Sequence, residues 1–308
     1  MTQAFYIKLM SLIEILKHSG EKNRYKAVRA FRYYKYLIAS QIANQLIKKV
    51  SIKSIQNKID AETSITASLT TFPARVKEVR YAILSILLQT MRPNRVILWL
   101  AREQFPEEKI PENLTDLCQY GLEVHFCDDL RSHKKYYYAL QEQKADEVVI
   151  TFDDDIIYHP HTIERLMQKH KEHPECIVCS QVHVMTFNDQ GEIMPYNQWS
   201  NYSSSMPNPN KDFMPLTGSG CLYPYNIMPK TTFQKDKLMK CAFTADDLWI
   251  GFMARISKVP ICITDKPANI FSVVTSSQTQ HLGQINCLGN GNDCTIQSLI
   301  STFGLPIN

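Results

Sequence analysis

The sequence lacks the short motifs that mark the most familiar nucleotide and zinc enzymes. The P-loop motif G-x-x-x-x-G-K-[ST], the dinucleotide motif G-x-G-x-x-G and the zinc motif H-E-x-x-H are all missing from its 308 residues. Their absence argues against a P-loop NTPase, a Rossmann-type dinucleotide enzyme and a zinc hydrolase of the H-E-x-x-H class. There is also no uninterrupted apolar run of the roughly 18–20 residues that a bilayer-spanning helix needs.

Cysteine is present, but without a regular framework. The nine cysteines are odd in number and irregularly spaced, and the N-terminus lacks the apolar core and cleavage site of a signal peptide. We therefore expect a cytoplasmic protein with reduced thiols. Cys176 and Cys179 form a C-x-x-C pair, but no second pair stands at zinc-site spacing, so this pair is predicted to be buried packing thiols.

The charge is distributed unevenly in an otherwise ordinary globular composition, with 44% hydrophobic and 21% charged residues and a mean hydropathy of -0.24. Residues 1–59 hold 12 Lys and Arg against two acids, a net charge of +10, and the rest of the chain carries −6. A basic surface that seeks a partner is therefore expected in the first sixty residues, on a mildly acidic body.

The first sixty residues predict two amphipathic helices. Each shows one apolar stripe at helical spacing: Phe5, Leu9, Leu12 and Leu16 in the first, and Phe31, Tyr34, Ile38 and Ile42 in the second. Two interpretations stay open, a hairpin packed on the main domain or a basic element resting on an anionic membrane surface. Nucleic acid is not an expected partner, because no base-reading motif is present. We assign residues 1–62 to this extension and 63–308 to the main domain.

From Ile65 onward the sequence alternates between short strands and helices. Strands are predicted at 65–70, 95–101, 122–127, 147–152 and 176–184, and helices at 76–89, 112–120, 132–143 and 161–170. This alternation predicts an α/β fold with a mostly parallel sheet, which binds ligands at the carboxyl ends of its strands. Residues 185–216 predict a long irregular excursion, and another helix is expected to begin near Ala245.

Three consecutive aspartates, Asp153, Asp154 and Asp155, follow the predicted buried strand "EVVITF". If the chain stays extended, side chains alternate, so Asp153 and Asp155 point one way and Asp154 the other. Neighbouring carboxylates repel each other unless a cation lies between them. The alternatives are a solvated acidic turn and a site in which Mg²⁺ or Mn²⁺ holds phosphate, and the buried strand before the triplet favours the metal site. His159 and His161, which follow it, are expected in the loop and the start of the next helix.

Five ordered segments carry a resemblance to a known family. They are "ITASLTTFPAR", "DDLRSHKKYYYAL", "VVITFDDD", "TGSGCLYP" and "TADDLW". Together, over about residues 65–295, they resemble bacterial GT-A fold glycosyltransferases that build capsule or lipopolysaccharide chains, with the aspartate triplet in the place of the DxD motif. The resemblance implies a GT-A fold, a nucleotide-sugar donor with UDP as the expected nucleotide, a divalent metal, and a saccharide or lipid-linked saccharide acceptor.

The resemblance, together with the chemistry of the side chains, suggests which residues bind the nucleotide. Thr70 and Thr71 offer hydroxyls, Phe72 a flat face and Arg75 a cation for phosphate, although Thr71 and Pro73 also suit a helix start. Asp128 is expected to bond base or ribose. The remaining candidates, Arg131, Lys134, Lys135 and Asp154, surround the expected diphosphate, unless the basic group is only a solvated helix face.

The resemblance also suggests catalytic and acceptor-binding residues. Gly218, Ser219 and Gly220 would let the backbone approach donor sugar and acceptor, or form only a tight turn. An acid pair at a helix start, Asp246 and Asp247, would include the base of an inverting reaction, with Asp247 preferred; Thr244 and Asp247 also suit a helix cap.

Three further residues or segments have candidate roles. Trp249 would stack on a sugar or pack in the core. His281 is the candidate third metal ligand, and "GNGND" (289–293) a candidate lid.

Two rivals from other classes remain, a sugar-nucleotide nucleotidyltransferase and a non-catalytic sugar-nucleotide-binding scaffold. The first is expected to carry a glycine-rich phosphate loop after its first strand, and "SLTTFPAR" has no glycine. A non-catalytic scaffold does not explain why the sequence has acidic residues at both 153–155 and 246–247. The location expected from the sequence is the inner face of a bacterial membrane, with the protein peripherally attached.

Overall fold

The structure is a computed structural model that describes residues 1–18, 26–55, 63–266, 270–273 and 290–304. Its helices are α1 (Gln3–His18), α2 (Lys26–Lys48), α3 (Val79–Leu87), α4 (Lys134–Glu142), α5 (Thr162–Glu172), α6 (Lys235–Ala242), α7 (Asp246–Ile256) and α8 (Gly291–Phe303). Short 3₁₀ helices lie at Ile52–Ser54, Pro73–Arg75, Glu112–Tyr120, Arg131–His133, Tyr196–Gln198 and Lys230–Phe233.

The strands form one large sheet and two small ones. They are β1 (Ser64–Thr70), β2 (Arg95–Ala101), β3 (Leu122–Cys127), β4 (Glu147–Phe152), β5 (Ile156–Tyr158), β6 (Ile177–Cys179), β7 (Val182–Val184), β8 (Ser200–Asn201), β9 (Phe213–Pro215), β10 (Ser219–Tyr223), β11 (Ile261–Ile263) and β12 (Ile270–Ser272). The large sheet has the order β11-β6-β10-β4-β1-β2-β3. Only β10 runs antiparallel to its neighbours. The predicted α/β class with a mostly parallel sheet is confirmed.

Helices cover both faces of the large sheet, because side chains along each strand alternate between the two faces and both faces are apolar. Leu98, Ile150 and Leu222 belong to the core shared with α1, α2, α3 and α5. The opposite face packs against α4, α6, α7 and α8. β4 lies in the middle of the sheet, and all six of its side chains are buried. The aspartate triplet therefore starts where a fully buried central strand reaches the edge of the sheet.

Two predicted elements differ from the structure. The apolar run 176–184 is not one strand, because the chain turns at Ser180, whose N–H donates to the Gly220 carbonyl at 2.9 Å. Its first half joins the large sheet as β6, and its second half joins β9 and β8 in a separate sheet. The predicted helix at 112–120 is a 3₁₀ helix that ends at Gly121 with a φ of 96°.

The described part of the predicted lid segment, residues 290–293, belongs to the start of a helix. Residues 291–293 form the first turn of α8, Asn292 is buried, and the Asp293 carboxylate accepts a hydrogen bond from the Tyr196 N–H at 2.8 Å. These residues anchor the excursion 185–216 to a helix. Gly289 lies outside the described residues.

The N-terminal helices pack on the main domain, as one of the two interpretations expected. Tyr6, Met10 and Ile13 of α1 are buried in the same core as α3. Glu14 forms an ion pair with Arg165 of α5 at 2.9 Å. Among the described residues, no helix combines the length and the hydrophobicity required to span a membrane.

The apolar stripes predicted from periodicity do not face this core. The side chains of Phe5, Leu12, Tyr34 and Ile38 are 55%, 57%, 63% and 58% exposed. Ile42 is also exposed, and the side chains of Leu16 and Phe31 lie outside the described ones. Residues that lie between the stripe positions, such as Tyr6, Met10 and Ala39, form the buried face instead.

Candidate functional site

The aspartate triplet lies where three chain segments meet at one edge of the large sheet. Parallel pairing of β1 with β4 places Thr70 and Thr71 beside the end of β4. Antiparallel pairing of β10 with β4 sets Ser219 opposite Phe152. The segments "TTFPAR" and "TGSG", which are far apart in sequence, therefore both flank Asp153. The first follows the carboxyl end of β1, as the strand-end rule for parallel sheets predicts, whereas the second lies at the amino end of the antiparallel strand β10.

Each carboxylate of the triplet has a defined partner. Asp153 accepts a hydrogen bond from the Lys135 ammonium at 2.6 Å. Asp154 accepts hydrogen bonds from the Thr71 hydroxyl at 2.6 Å and from Arg75 at 2.8 Å. Asp155 lies 3.0 Å from the same guanidinium nitrogen. Asp153 and Asp155 therefore do not share a face as expected. The chain turns after β4, so its side chains no longer alternate.

The backbone around Asp153 is held tightly. Its N–H is 2.7 Å from the Tyr158 hydroxyl, which also bonds the Gly218 carbonyl. A Cβ on Gly218 would lie 1.8 Å from an oxygen of the Asp153 carboxylate. A side chain at this position would therefore displace the Asp153 carboxylate, and the predicted contact of "TGSG" with donor sugar and acceptor stays a prediction. Tyr158 was not identified from the sequence.

The acid pair begins α7, as predicted, and lies on the other side of Lys135. Asp246 is 2.9 Å from the Lys135 ammonium. The Thr217 hydroxyl lies 2.7 Å from Asp246 Oδ2 and 2.6 Å from Asp247 Oδ1, and the Thr217 N–H donates to Asp247 Oδ1 at 2.7 Å. A hydroxyl carries one hydrogen, so Thr217 can donate to only one carboxylate at a time.

The two carboxylates of the pair have opposite pKa shifts. Burial raises the pKa of Asp246, but Lys135 and His133 outweigh it and hold that pKa well below its usual range. Burial, and then the charge of Asp246, raise the pKa of Asp247 to about 7. Pairs of carboxyl groups whose environments separate their pKa values are typical of acid–base sites. Asp247 can therefore exchange a proton near neutral pH while Asp246 stays ionised.

Lys135 joins the two acidic clusters. Its side chain is 2% exposed and contacts both Asp153 and Asp246. Burial lowers the pKa of Lys135, but the charges of Asp153 and Asp246 raise this pKa by more than burial lowers it. The ammonium therefore stays charged. The expected contact between Lys135 and a diphosphate is therefore replaced by a bridge between carboxylates. Sequence periodicity could not distinguish these roles, since a lysine suits either one.

The other predicted nucleotide-binding cations differ in their availability. Lys134 is 3% exposed and pairs with Asp129, so its ammonium does not face a ligand. Arg131 is exposed, has a φ of 51°, and lies over the Phe243 ring at 4.8 Å. Of the predicted cations, Arg75 lies at the triplet, and Arg131 is exposed beside the Phe243 ring.

The other residues predicted to bind the donor already contact neighbouring groups of the protein. Thr70 donates its hydroxyl to the Trp99 carbonyl at 2.8 Å. Phe72 is half-buried beneath Arg75, at 5.4 Å from ring to guanidinium. Asp128 is exposed and pairs with Lys235 at 2.8 Å.

The structure changes the interpretation of several side chains near the acid pair. Trp249 is fully buried and donates to the Thr232 carbonyl at 3.0 Å, so it packs in the core and cannot stack on a sugar. Ser219 is buried and donates its hydroxyl to Gln181 at 2.7 Å. Gly220 has a φ of 98°, a backbone conformation that favours glycine. Thr217 contacts both acids and was missed as a site residue, although it directly precedes "GSG".

The predicted histidines do not join the triplet where they are described. His159 is fully buried and lies 3.1 Å from Glu14. His161 immediately precedes α5 and pairs with Glu164 at 2.6 Å. The prediction that both belong to the loop and helix start is confirmed. His281, the candidate third metal ligand, lies outside the described residues.

The charge at this edge suits a divalent cation. Among the described residues, the ion pairs of the five carboxylates in the triplet and the acid pair involve two cations, Arg75 and Lys135. The side chains of Asp153 and Asp155 are 41% and 29% exposed, so they keep oxygen lone pairs open to solvent. Mg²⁺ sites commonly use one or two carboxylates and complete the shell with phosphate and water. The two residues therefore fit the predicted Mn²⁺ or Mg²⁺.

Comparison with known proteins gives limited information. No family model and no curated protein matches the sequence. A similar solved structure is that of 4-diphosphocytidyl-2C-methyl-D-erythritol synthase from Anaerococcus prevotii, with a TM-score of 0.43, 11% identity, and coverage of 74% of this chain and 97% of that one. A likeness this distant does not determine the activity of this chain, which has to be argued from its own residues.

Replacing Lys135 tests whether the bridge holds the site together. The Lys135→Met variant keeps the side-chain volume but leaves Asp153 and Asp246 without their shared cation. We expect a loss of about 3 kcal/mol in unfolding free energy at pH 7, measured by urea denaturation. The loss should shrink at pH 5, because carboxylates that lose a cation protonate more readily. Lys77→Met, on an exposed lysine, is the control; equal stability of the two variants would refute the bridge.

Proposed function

We propose that the chain is a metal-dependent transferase that uses a nucleotide-diphosphate sugar, and specifically an inverting glycosyltransferase of the GT-A type. One observation carries the proposal: the triplet and an acid pair with one carboxyl near pKa 7 are joined by Lys135 at one edge of a mostly parallel sheet. The first cluster suits a metal-bound diphosphate. The second suits removal of a proton from an incoming hydroxyl group.

The donor is placed by the residues at the strand ends. Asp153 and Asp155 would hold Mn²⁺ or Mg²⁺, which supplies neutralisation of the charge that builds up on the departing diphosphate. Arg75 contacts Asp154 and Asp155 and stands next to this position, where a guanidinium can also bond phosphate oxygens. Asp154 is nearly buried with a pKa raised to about 6, chiefly by burial, so its role is to orient Arg75 and Thr71.

The acceptor is activated by the acid pair. Asp247 takes the proton of the acceptor hydroxyl as that oxygen attacks the anomeric carbon, and the bond from that carbon to the diphosphate breaks. Attack from the face opposite the leaving group inverts the configuration. Asp246 stays anionic against Lys135, which keeps the pKa of Asp247 raised. Thr217 holds Asp247 Oδ1 through its N–H, which leaves Oδ2 for the substrate.

The chemistry of the nucleophile favours glycosyl transfer over the nucleotidyl transfer rival. In a nucleotidyltransferase that makes sugar nucleotides, a phosphate oxygen of the sugar phosphate attacks the nucleoside triphosphate. This oxygen is already anionic and needs no base. The acid pair would repel such a nucleophile, whereas a neutral hydroxyl needs the base that Asp247 offers. A hexose donor with UDP, galactofuranose or galactopyranose in particular, and a saccharide or lipid-linked saccharide of capsule or lipopolysaccharide complete the proposal.

Product analysis separates the candidate functions. Purified protein is incubated with a panel of UDP-hexoses, with and without Mn²⁺, and released products are resolved by ion-exchange chromatography. We expect Mn²⁺-dependent release of nucleoside diphosphate. A second incubation, with nucleoside triphosphates and sugar phosphates, should yield no pyrophosphate; pyrophosphate release there would support the nucleotidyltransferase. Binding of UDP-sugar without turnover in either assay would support the scaffold.

Asp247→Asn tests the base. The amide keeps the Thr217 contacts but cannot accept the proton, so we expect turnover to fall by about 10²–10⁴-fold. In the wild type, kcat/KM should rise with pH through about 7, because the base works only when deprotonated. Near-normal turnover of the variant would remove Asp247 from this role.

Stability supplies the control for the same variant. A carboxyl whose folded pKa is raised above its unfolded value loses stability as pH rises through that interval. Asp247→Asn removes this loss, so its melting temperature should exceed that of the wild type more at pH 8 than at pH 5. An inactive variant that is also less stable at pH 8 would indicate a damaged fold rather than a missing base.

The N-terminal helices suit attachment to an anionic membrane surface. The exposed side chains of Phe5, Leu12, Tyr34 and Ile38 are apolar, and they cannot all be covered by the core, which lies on the other side of α1 and α2. Residues 1–59 carry +10. Exposed apolar side chains combined with a basic field are the two contributions that hold amphipathic helices in an anionic interface. Packing on the domain and binding to a membrane are therefore compatible roles of one hairpin.

Vesicle sedimentation tests this surface. Wild type should pellet with phosphatidylglycerol-containing vesicles and much less with neutral ones. A variant with Phe5, Leu12, Tyr34 and Ile38 changed to Ser should lose most of that binding. The matched control changes Ile110 and Tyr225, exposed apolar residues of the main domain, to Ser and should pellet like wild type. Equal pelleting of both variants would contradict the assignment.

A further inference from the structure

Soft metal-ligand side chains gather at the edge of the sheet opposite the aspartate triplet. Cys176 directly precedes β6, which runs parallel to β4 because both pair antiparallel with β10. Cys176 is therefore at the amino end of its strand, whereas the triplet is at the carboxyl end of β4. Cys262 belongs to β11, the strand at the end of the sheet. This cluster is separate from the proposed catalytic site and does not depend on it.

The register of two strands and one tight turn brings the ligands together. β6 and β11 are parallel with Ile177 opposite Ile261, so Cys176 and Cys262 point to the same face. Both belong to the core on that face, while Cys179 faces the other core. The two members of the C-x-x-C motif thus point apart. The Cys176 N–H donates to the His173 carbonyl at 3.1 Å, and this turn after α5 sets His173 beside the start of β6.

The distances are those of a nearly assembled site. The ligand atoms of His173, Cys176 and Cys262 all lie within 4.8 Å of one another. A fourth candidate is Glu175, whose Oε1 is 3.5 Å from Cys176 Sγ and 3.7 Å from His173 Nδ1. Both thiols are buried, whereas the side chain of His173 is 28% exposed, which leaves a path for an ion to enter.

The chemistry of this set selects one class of cation. Thiolate and imidazole ligands bind Zn²⁺ in tetrahedral sites and are poor ligands for Mg²⁺ or Ca²⁺. The contrasting pair, Cys179 and Cys221, has sulfur atoms 3.3 Å apart but sits in an apolar core without histidine or carboxylate.

We infer that His173, Cys176 and Cys262, with Glu175 as the fourth ligand, bind one Zn²⁺ ion in a structural site. Binding displaces one proton from each of the two thiols to solvent, and no electron is transferred. Two thiolates and one carboxylate give the occupied site a charge of −1, which its position near the surface tolerates. Four protein ligands leave no open coordination position, so the ion supplies cross-linking rather than catalysis.

The cross-link would secure a short strand at the edge of the large sheet. β11 is only three residues long and has β6 as its one neighbour in that sheet. The ion would tie β11 to the start of β6 and to the end of α5. The chain leaving β11 continues to β12, which pairs with β5 immediately after the triplet. Loss of the ion is therefore expected to loosen the connection from this edge to the site.

Metal content and a cobalt spectrum test the site. The full-length chain is produced in zinc-supplemented medium and purified without chelator, and zinc is measured by mass spectrometry. We expect about one zinc per chain. Replacement by Co²⁺ should give a thiolate-to-cobalt charge-transfer band, which an ion bound only by carboxylates cannot give. Chelation should lower the melting temperature reversibly.

Matched variants assign the ligands. Cys262→Ser and His173→Gln should reduce bound zinc to less than about a tenth of an ion per chain and abolish the cobalt band. Cys179→Ser and Asp153→Asn should keep both. His173→Gln, at a partly exposed position, serves if the cysteine variant does not fold. Wild type that carries no zinc and gives no charge-transfer band overturns the inference, as does a Cys176–Cys262 disulfide in metal-free protein isolated without oxidant.

Discussion

The site depends on one buried ammonium group. Lys135 lies between Asp153, at the end of the central strand, and Asp246, at the start of α7, and is almost inaccessible to water. Without this charge, two carboxylates from distant segments would face each other in a poorly solvated space. Because one cation serves both, α4, β4 and α7 are held in a fixed relation. The aspartate triplet and the acid pair are consequently parts of a single electrostatic unit.

This unit explains how neighbouring carboxylates acquire different roles. Lys135 keeps Asp246 ionised, and the charge of Asp246, added to burial, raises the pKa of Asp247 to about 7. At the triplet, Arg75 and Thr71 occupy Asp154, while Asp153 and Asp155 remain partly exposed. The excess of carboxylates over cations leaves a negative edge, which suits a divalent ion and the diphosphate that such an ion binds.

The surroundings of this unit serve to position it. Gly218 allows the backbone to approach the Asp153 carboxylate, and the Thr217 hydroxyl lies within hydrogen-bonding distance of both acids of the pair. The proposed zinc ligands lie at the opposite edge of the same sheet and would fix the short strand β11. The outward-facing apolar residues of α1 and α2 would place the whole domain at a membrane. The proposed chemistry, structural support and membrane attachment would thus occupy three separate regions of the molecule.

The sequence alone determined the α/β class, the positions of β1 to β4 and where both acidic clusters lie along the chain, because strand periodicity and runs of carboxylates are local properties of the chain. It could not determine which side chains partner each other. Lys135 looked like a phosphate ligand, Trp249 had two open interpretations, and the C-x-x-C motif did not show that Cys176 and Cys179 face opposite cores. Only the tertiary structure decided these cases, since burial, register and helix orientation depend on contacts between segments that are in places more than a hundred residues apart. The same reason explains why the exposed stripes of α1 and α2 could not be assigned: periodicity shows that a stripe exists, and only packing shows which way it faces.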